Sequence, residues 1–431
     1  MISSVLPAHD PVRPFLLDRA TDGVLRELSY GECRSRVDEL VRSHRDLRGA
    51  RVGLRATAER ETVLWLLALD ALGARGHLVP PSAPDAAVDG LVEQLGLHLV
   101  VGRPLPSTVP AGGEGGPEVV LFTSGTTGTP KAARHTWASL AARVHRSPEL
   151  SGARWLLAYS LSAFAGLQVL LHALLNGGAV VLGGDAPAAA LRAFGPGITH
   201  VSATPTFFRM LLMGGDADGL RPTQLTLGGE PVDQPLLDRI GRRFPSARVT
   251  HIYASTEMGT CFSVHDGLAG FPAAYLESDE LPVWLTIRDG ELHVRSPHAM
   301  GGYVGLDDPR DGTGLYPTGD LVEVVGDRVH FRGRRNESIN VGGQKVHPRA
   351  VEEVLLAEPR VRAARVSGTA SSVTGQLVRA DVVAVRDTDG EELRKALLDR
   401  CRLHLQPHQI PRILRIVDSL EQNDGGKLVR R

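Results

Sequence analysis

The sequence predicts an α/β protein. A large N-terminal unit built on doubly wound sheets carries a small antiparallel, barrel-like part, and a small mobile α+β unit follows it. Three observations carry that reading. From residue 119 to 253 short apolar runs alternate with polar loops and helix-like stretches, the layout of a parallel sheet flanked by helices. From Leu281 the texture changes to short alternating strands with denser turn residues, which suits an antiparallel sheet. After Phe331-Arg332-Gly333 a basic, polar, hinge-like segment opens a last region with its own helix, strand, strand, helix order. The expected units are therefore 1–333 and 334–431.

In chain order, Glu61 to Gly73 carries apolar residues at helical spacing and Leu97 to Val101 is a short strand. Gly112 to Pro117 reads as a flexible spacer, so Val119 to Phe122 starts a fresh strand. The thirty residues from Trp155 to Gly184 hold no formal charge, which exceeds the roughly 20 that cross a bilayer. Polar residues interrupt them, Gly177-Gly178 ends a helix, and Ala179 to Leu182 reads as a buried strand, so no span is expected. Ile198 to Ser202, Leu225 to Leu227 and Val249 to Tyr253 are further strands, with a helix from Thr206 to Met213. Leu292 to Val294 and Leu321 to Val325 belong to the antiparallel part. The last region is read as a helix from Pro348 to Ala357, strands at Val361 to Ser367 and Gln376 to Val385, and a helix from Glu391 to Leu405.

The 431 residues are 42% hydrophobic and 23% charged, ordinary values for a folded chain able to bury a large core. Lys plus Arg is 48 against 49 for Asp plus Glu, so no net field draws the chain to nucleic acid or an anionic membrane. Neither partner is expected. Cys33, Cys261 and Cys401 are widely spaced and odd in number, and the first residues lack the basic start and apolar core of an export signal. A cytoplasmic location is expected.

The segment Thr123-Ser124-Gly125-Thr126-Thr127-Gly128-Thr129-Pro130-Lys131 follows a buried strand and concentrates hydroxyls, glycines and a lysine. Glycines let amides approach an anion, hydroxyls donate to phosphate oxygens, and the lysine adds charge, so a polyphosphate is the suited ligand. The competing reading is a plain Ser/Thr/Gly linker, and the spacing is not that of a Walker loop.

This segment resembles the phosphate loop of the adenylate-forming superfamily, which includes acyl- and aryl-CoA synthetases, nonribosomal adenylation domains and luciferases. Five further blocks follow in family order. Gly228-Gly229-Glu230 resembles the adenine-contacting loop, and Tyr253-Ala254-Ser255-Thr256-Glu257 the aromatic-x-x-Thr-Glu block. Tyr316-Pro317-Thr318-Gly319-Asp320 resembles the ribose-binding Thr-Gly-Asp. Gly333-Arg334-Arg335-Asn336-Glu337, with Gly342-Gly343 and Val346-His347-Pro348 behind it, resembles the hinge, and Gly426-Lys427 with Arg430 the C-terminal Gly-Lys-x-x-Arg.

The resemblance implies ATP and Mg²⁺, with CoA as the co-substrate or an acyl carrier protein in its place. It implies catalytic roles for Lys427, Thr256 and Lys131, and nucleotide contacts from Thr123, Ser124, Gly125, Thr126, Thr127, Gly128, Gly228, Gly229, Glu230, Tyr253, Ala254, Ser255, Asp320 and Arg334. Glu257 is the expected Mg²⁺ ligand, Tyr253 offers a flat face to adenine, and Asp320 offers acceptors to ribose hydroxyls. Each has a plainer counterpart: Glu257 as a surface glutamate after a strand, Tyr253 and Asp320 as plain turn residues. Lys427, in a basic tail that would otherwise read as solvated, would bridge a carboxylate and the α-phosphate as they react, then leave as the small unit rotates about 334–337.

Four positions depart from the pattern. Asn336 stands where relatives carry Asp at the hinge, Ala254 replaces a glycine, Glu421-Gln422-Asn423 replaces Pro-Lys-Thr, and Ala163 stands where many ligases have His. No Asp is placed to hold an α-ammonium, so an amino acid is disfavoured. The stretch Gly166 to Leu171 looks most like the o-succinylbenzoate-CoA ligase branch. The expected substrate is an aromatic or compact carboxylic acid held near Phe164, Gly166, Gly228, Ser255 and Met258, positions that core packing would equally explain. The expected activity is formation of acyl-AMP and transfer to a thiol. Alternatives are adenylation of another anion, transfer to a carrier protein or amine, and a nucleotide-binding protein without catalysis.

Overall fold

The computed structural model describes residues 2–428 apart from 20–22, 102–115, 124–129, 185, 214–216, 373 and 423–426. The spacer at 112–115 therefore lies outside the described residues, as do Ser124, Gly125, Thr126, Thr127, Gly128, Gly426 and Arg430.

The largest sheet runs in the spatial order Gly259–Val264, Arg248–Ser255, Gln224–Gly228, His200–Ala203, Arg154–Leu157, Ala179–Leu182, Pro14–Arg19 and Leu25–Ser29. Inner neighbours are parallel, and the two outermost strands are antiparallel. Both faces are covered, which explains the near-continuous apolar runs of the inner strands. Strand alternation sends Trp155, Leu157, Val180 and Leu182 to one core, and Leu156, Val181, Val201 and Leu225 to the other.

A second sheet, Leu99–Val101, Arg51–Arg55, Arg75–Val79, Glu118–Thr123 and Lys131–Thr136, is parallel except for its last strand. The antiparallel part consists of Phe271–Pro272, Arg328–Arg334, Tyr316–Val325, Glu291–Arg295 and Trp284–Arg288. Beyond the short 3-10 turn Arg335–Glu337, a last sheet of Gln344–Val346, Ile339–Val341, Gly375–Ala384, Val361–Ser371 and Ile413–Ile416 packs with helices Pro348–Leu356 and Gly390–His404 around its own core.

The N-terminal strands Pro14–Arg19 and Leu25–Ser29 join the large sheet beside Ala179–Leu182. Two expectations change. The strand expected to end at Tyr253 continues to Ser255, and Thr318-Gly319-Asp320 lies inside Tyr316–Val325 instead of a turn. In both places neighbouring strands satisfy the backbone that loop chemistry alone would have left to water.

The uncharged stretch 155–184 resolves into a strand, the helix Phe164–Asn176 and another strand, with Gly177 closing the helix at φ +69°. Among the described residues no helix is long and apolar enough to cross a membrane. Gly166 is buried at the start of that helix, and a Cβ there would lie 2.1 Å from Ser160 O. The helix thus reaches the 159–162 loop only because this residue has no side chain, so packing by itself requires glycine at this expected substrate position. Gly166→Ala is expected to lower stability by about 1–3 kcal/mol, read as a fall in the urea midpoint at constant slope; an unchanged midpoint contradicts this packing account.

Candidate active site

The carboxyl ends of the parallel strands bring the motifs together, as the topology of an open α/β sheet favours. At the end of Gln224–Gly228 the chain turns through Gly229 at φ +83°. Tyr159 donates its hydroxyl to Gly228 O at 3.3 Å. Glu230 Oε2 accepts from the Thr206 hydroxyl at 2.7 Å and the Thr206 N–H at 3.1 Å, in the first turn of helix Pro205–Met213. A carboxylate there satisfies a helix-terminal donor. The sequence expectation of an adenine contact is therefore refined: Glu230 spends its acceptors on the protein, since Oε1 also accepts from Leu428 N–H at 3.4 Å.

Lys427 arrives beside this loop. The positive φ of Gly229 favours glycine, and a Cβ there would lie 3.1 Å from Lys427 Cε, so the lysine would have to shift by a few tenths of an ångström. Lys427 as a whole keeps an exposed surface. Desolvation by the groups around its ammonium, then the Arg334 charge, lowers its pKa from the ordinary lysine value, against the pull of Glu230, Asp320 and Glu257.

Asp320 is the hub of a second group. Its Oδ2 accepts the Tyr253 hydroxyl at 2.7 Å and its Oδ1 accepts Arg334 Nε at 2.9 Å. Asp320 and Arg334 are directly opposite in their antiparallel strands, so sheet register sets the pair. The Asp320 charge leads the causes that raise the Arg334 pKa, and burial followed by that same charge raises the Tyr253 phenol. The Tyr253 ring lies near-parallel to Phe262 and Phe331, at 5.3 and 5.2 Å between centroids. The ring is thus engaged with protein aromatics.

Glu257 anchors a third group. It accepts the Tyr303 hydroxyl at 2.8 Å, and its carbonyl accepts Met300 N–H at 2.8 Å. Lys131 Nζ sits 5.4 Å from the Tyr303 ring centroid, within cation–π range. Lys131 begins the strand Lys131–Thr136 opposite Thr123, and the alternation of that strand puts His135 on the same side. Buried His135 places Nε2 2.7 Å from Thr256 O, which fixes the proton on Nε2, and burial lowers its pKa. The same strand is stitched to residues 301–304 by Gly301 N–H to Arg134 O, Arg134 N–H to Gly302 O, and Val304 N–H to Ala132 O.

Sequence reasoning missed Tyr303 and His135. Tyr303 sat among glycines that marked only a turn, whereas His135, four residues after Lys131, was within reach of period-2 reasoning.

The expected acid pocket is only partly assembled. Phe164 is buried and its ring lies 5.9 Å from His135, which links it to the Thr256 segment. Ser255 Oγ accepts Met258 N–H at 3.1 Å. Met258 is 1% exposed and packs with Phe262, Val264 and Phe271, which is the core-packing use that its sequence position equally allowed. Ala254, partly buried, packs against the first core. Among the described residues no group of three His, Cys, Asp or Glu side chains could hold a metal. Glu257 alone fits the role of Mg²⁺ ligand, because that ion is commonly held by one or two carboxylates together with substrate phosphates and water.

A family model described as AMP-binding enzyme matches residues 102–304, and one described as AMP-binding enzyme C-terminal domain matches 350–427. A 2-succinylbenzoate–CoA ligase of Bacillus velezensis is 31% identical over 341 residues, 72% of this chain and 67% of the relative. The o-succinylbenzoate CoA synthetase of Bacillus subtilis, solved in complex with its acyl-adenylate intermediate, superposes with a TM-score of 0.75 at 22% identity, covering 100% and 96% of the two chains. An anthranilate CoA ligase solved with anthranoyl-AMP gives 0.79 at 19% identity, over 99% and 95%. These two structures share the fold. On the matched models and the identity to its curated relative, the chain belongs to the AMP-binding enzyme family.

Proposed function

We propose that this protein activates an aromatic or otherwise compact carboxylic acid with MgATP, giving an acyl-AMP and pyrophosphate, and then passes the acyl group to a thiol, CoA being the favoured acceptor. The observation that carries this reading is the convergence of Lys427 with Gly229, Glu230, Asp320, Glu257 and Arg334. The relatives named above act on 2-succinylbenzoate and anthranilate, and the neutral wall around Phe164 and Ser255 supports an acid of that kind. Burial raises the thiols of Cys33 and Cys261 to about 12 and that of Cys401 to about 11. These free, inert thiols suit a reducing cytoplasm.

The division of labour follows from charge. The acid carboxylate must approach a phosphate that is itself anionic, and their repulsion is a large part of the barrier. Lys427 supplies a positive charge where both meet, so its contribution grows as negative charge concentrates in the transition state. Lys131 adds a second cation on the side of Tyr303 and Glu257. Glu257 would hold Mg²⁺, which when bound neutralises phosphate charge. Asp320 retains free lone pairs for ribose hydroxyls after accepting from Tyr253 and Arg334. Residues 1–333 thus hold nucleotide and acid, and 334–431 deliver Lys427.

The direct test is acid-dependent ATP/pyrophosphate exchange across a diverse acid library, followed by CoA and a pantetheinylated carrier as acceptors. Exchange driven by aromatic or compact carboxylates, with thioester formed on CoA, is expected; ATP binding without exchange for any acid contradicts the activity. Lys427→Ala is expected to slow adenylate formation by about a hundredfold or more while thioester formation from synthetic acyl-AMP stays largely intact. Equal loss in both steps contradicts the role given to Lys427.

A further inference from the structure

The C-terminal part of the chain touches the short segment Gly229-Glu230-Pro231 at each of its three residues. Lys427 Cε lies against Gly229, and Leu428 N–H donates to Glu230. Arg349 Nη1 donates to Pro231 O at 3.3 Å. The same guanidinium donates from Nε to Phe331 O at 3.2 Å. Phe331 belongs to the strand Arg328–Arg334 that runs into the turn Arg335–Glu337, so Arg349 joins the first turn of helix Pro348–Leu356 to the large unit on both sides of the nucleotide motifs.

The surroundings support a docking role. The Arg349 side chain is 15% exposed, and Glu353 one turn later pairs with its Nε at 2.9 Å, orienting the fork. Gly333 has φ +123°, and a Cβ on it would lie 3.7 Å from the Cβ of His347 and 3.9 Å from that of Arg349. At the far end of the unit, Gln422 bridges to Leu428 and extends Nε2 to 3.8 Å from the Met210 sulfur, which seats the tail on helix Pro205–Met213.

We infer that Arg349 is a positioning residue: it pins the small unit to Pro231 and Phe331 in the pose that places the Lys427 ammonium at Gly229. A planar guanidinium can span two carbonyls from separate segments, whereas a lysine ammonium in its place reaches one. Arg349 touches no reacting atom. Its effect falls on the step that needs Lys427 in place, and in this sense the inference rests on the two-step activity proposed above.

The test uses the full chain as Arg349→Ala, Arg349→Lys and Glu353→Gln. The first readout needs no turnover: acetylation of Lys427 by acetic anhydride, followed by mass spectrometry with Lys395 as reference. Arg349→Ala is expected to acetylate faster at Lys427 and equally at Lys395. In the activity arm it is expected to lose about tenfold or more of ATP/pyrophosphate exchange, with thioester formation from synthetic acyl-AMP retained. Arg349→Lys recovers part of the exchange, and Glu353→Gln, which keeps both carbonyl bonds, stays near wild type. If Arg349→Ala does not fold, Arg349→Lys carries the same split at smaller size. Unchanged Lys427 reactivity, or equal loss in both half-reactions, overturns the inference. Absence of exchange in the wild type instead overturns the activity, and the acetylation arm still decides the docking.

Discussion

In the proposed activity two anions must be brought into contact, and the Lys427 ammonium, from the far end of the chain, is the charge proposed to meet them. Much of the architecture can be read as a consequence. A glycine at φ +83° adopts a backbone that L side chains rarely take, and it lies against the Lys427 stem. Glu230, held by Thr206 at a helix start, keeps a carboxylate facing the incoming tail. The charge of Lys427 is thus used at a place where its own desolvation and Arg334 work against it, and nearby carboxylates offset part of that cost.

The nucleotide side is organised by the same economy of pairing. Asp320 is locked between Tyr253 and Arg334 by strand register, so its remaining lone pairs point from a fixed carboxylate. Glu257 is fixed by Tyr303 and by the Met300 backbone bond, and His135 fixes the preceding carbonyl from the strand that also carries Lys131. Pre-organised dipoles and charges of this kind need no rearrangement as the reaction proceeds. Arg335 contributes at the hinge, donating to buried Glu291, which in turn accepts Gly319 N–H next to Asp320. Hinge and ribose motif are therefore mechanically joined, although Asn336 itself is exposed.

Much of this was legible in the sequence, for definite reasons. Alternating apolar runs report burial directly, so the strands expected at 119–122, 179–182 and 225–227 and both C-terminal helices lie within a residue or two of their expected bounds. The charged residues at the site stood out because they sat in ordered blocks: Lys131, Glu257, Asp320 and Lys427. What the sequence hid depends on pairing at long range. Nothing local tells Pro14–Arg19 to join Ala179–Leu182, and nothing in a Gly-Gly-Tyr turn says that Tyr303 will meet Glu257. Met258 and Gly166 look like pocket residues because small and apolar side chains serve cores and pockets alike; the packing use shows only in the burial of Met258 and in the 2.1 Å that would separate a Cβ on Gly166 from Ser160 O. Arg349 was one arginine among many until its two carbonyl partners were seen.

The sequence holds four lysines, Lys131, Lys345, Lys395 and Lys427, and this sparsity gives a direct measurement of the central claim. Acetylation rates at each, with and without saturating ATP and magnesium, report which ammonium groups the nucleotide covers. The account predicts that ATP slows modification of Lys427 and Lys131 while the exposed Lys345 and Lys395 react as before. Acetylation of Lys427 at the same rate in the presence and absence of ATP would contradict it.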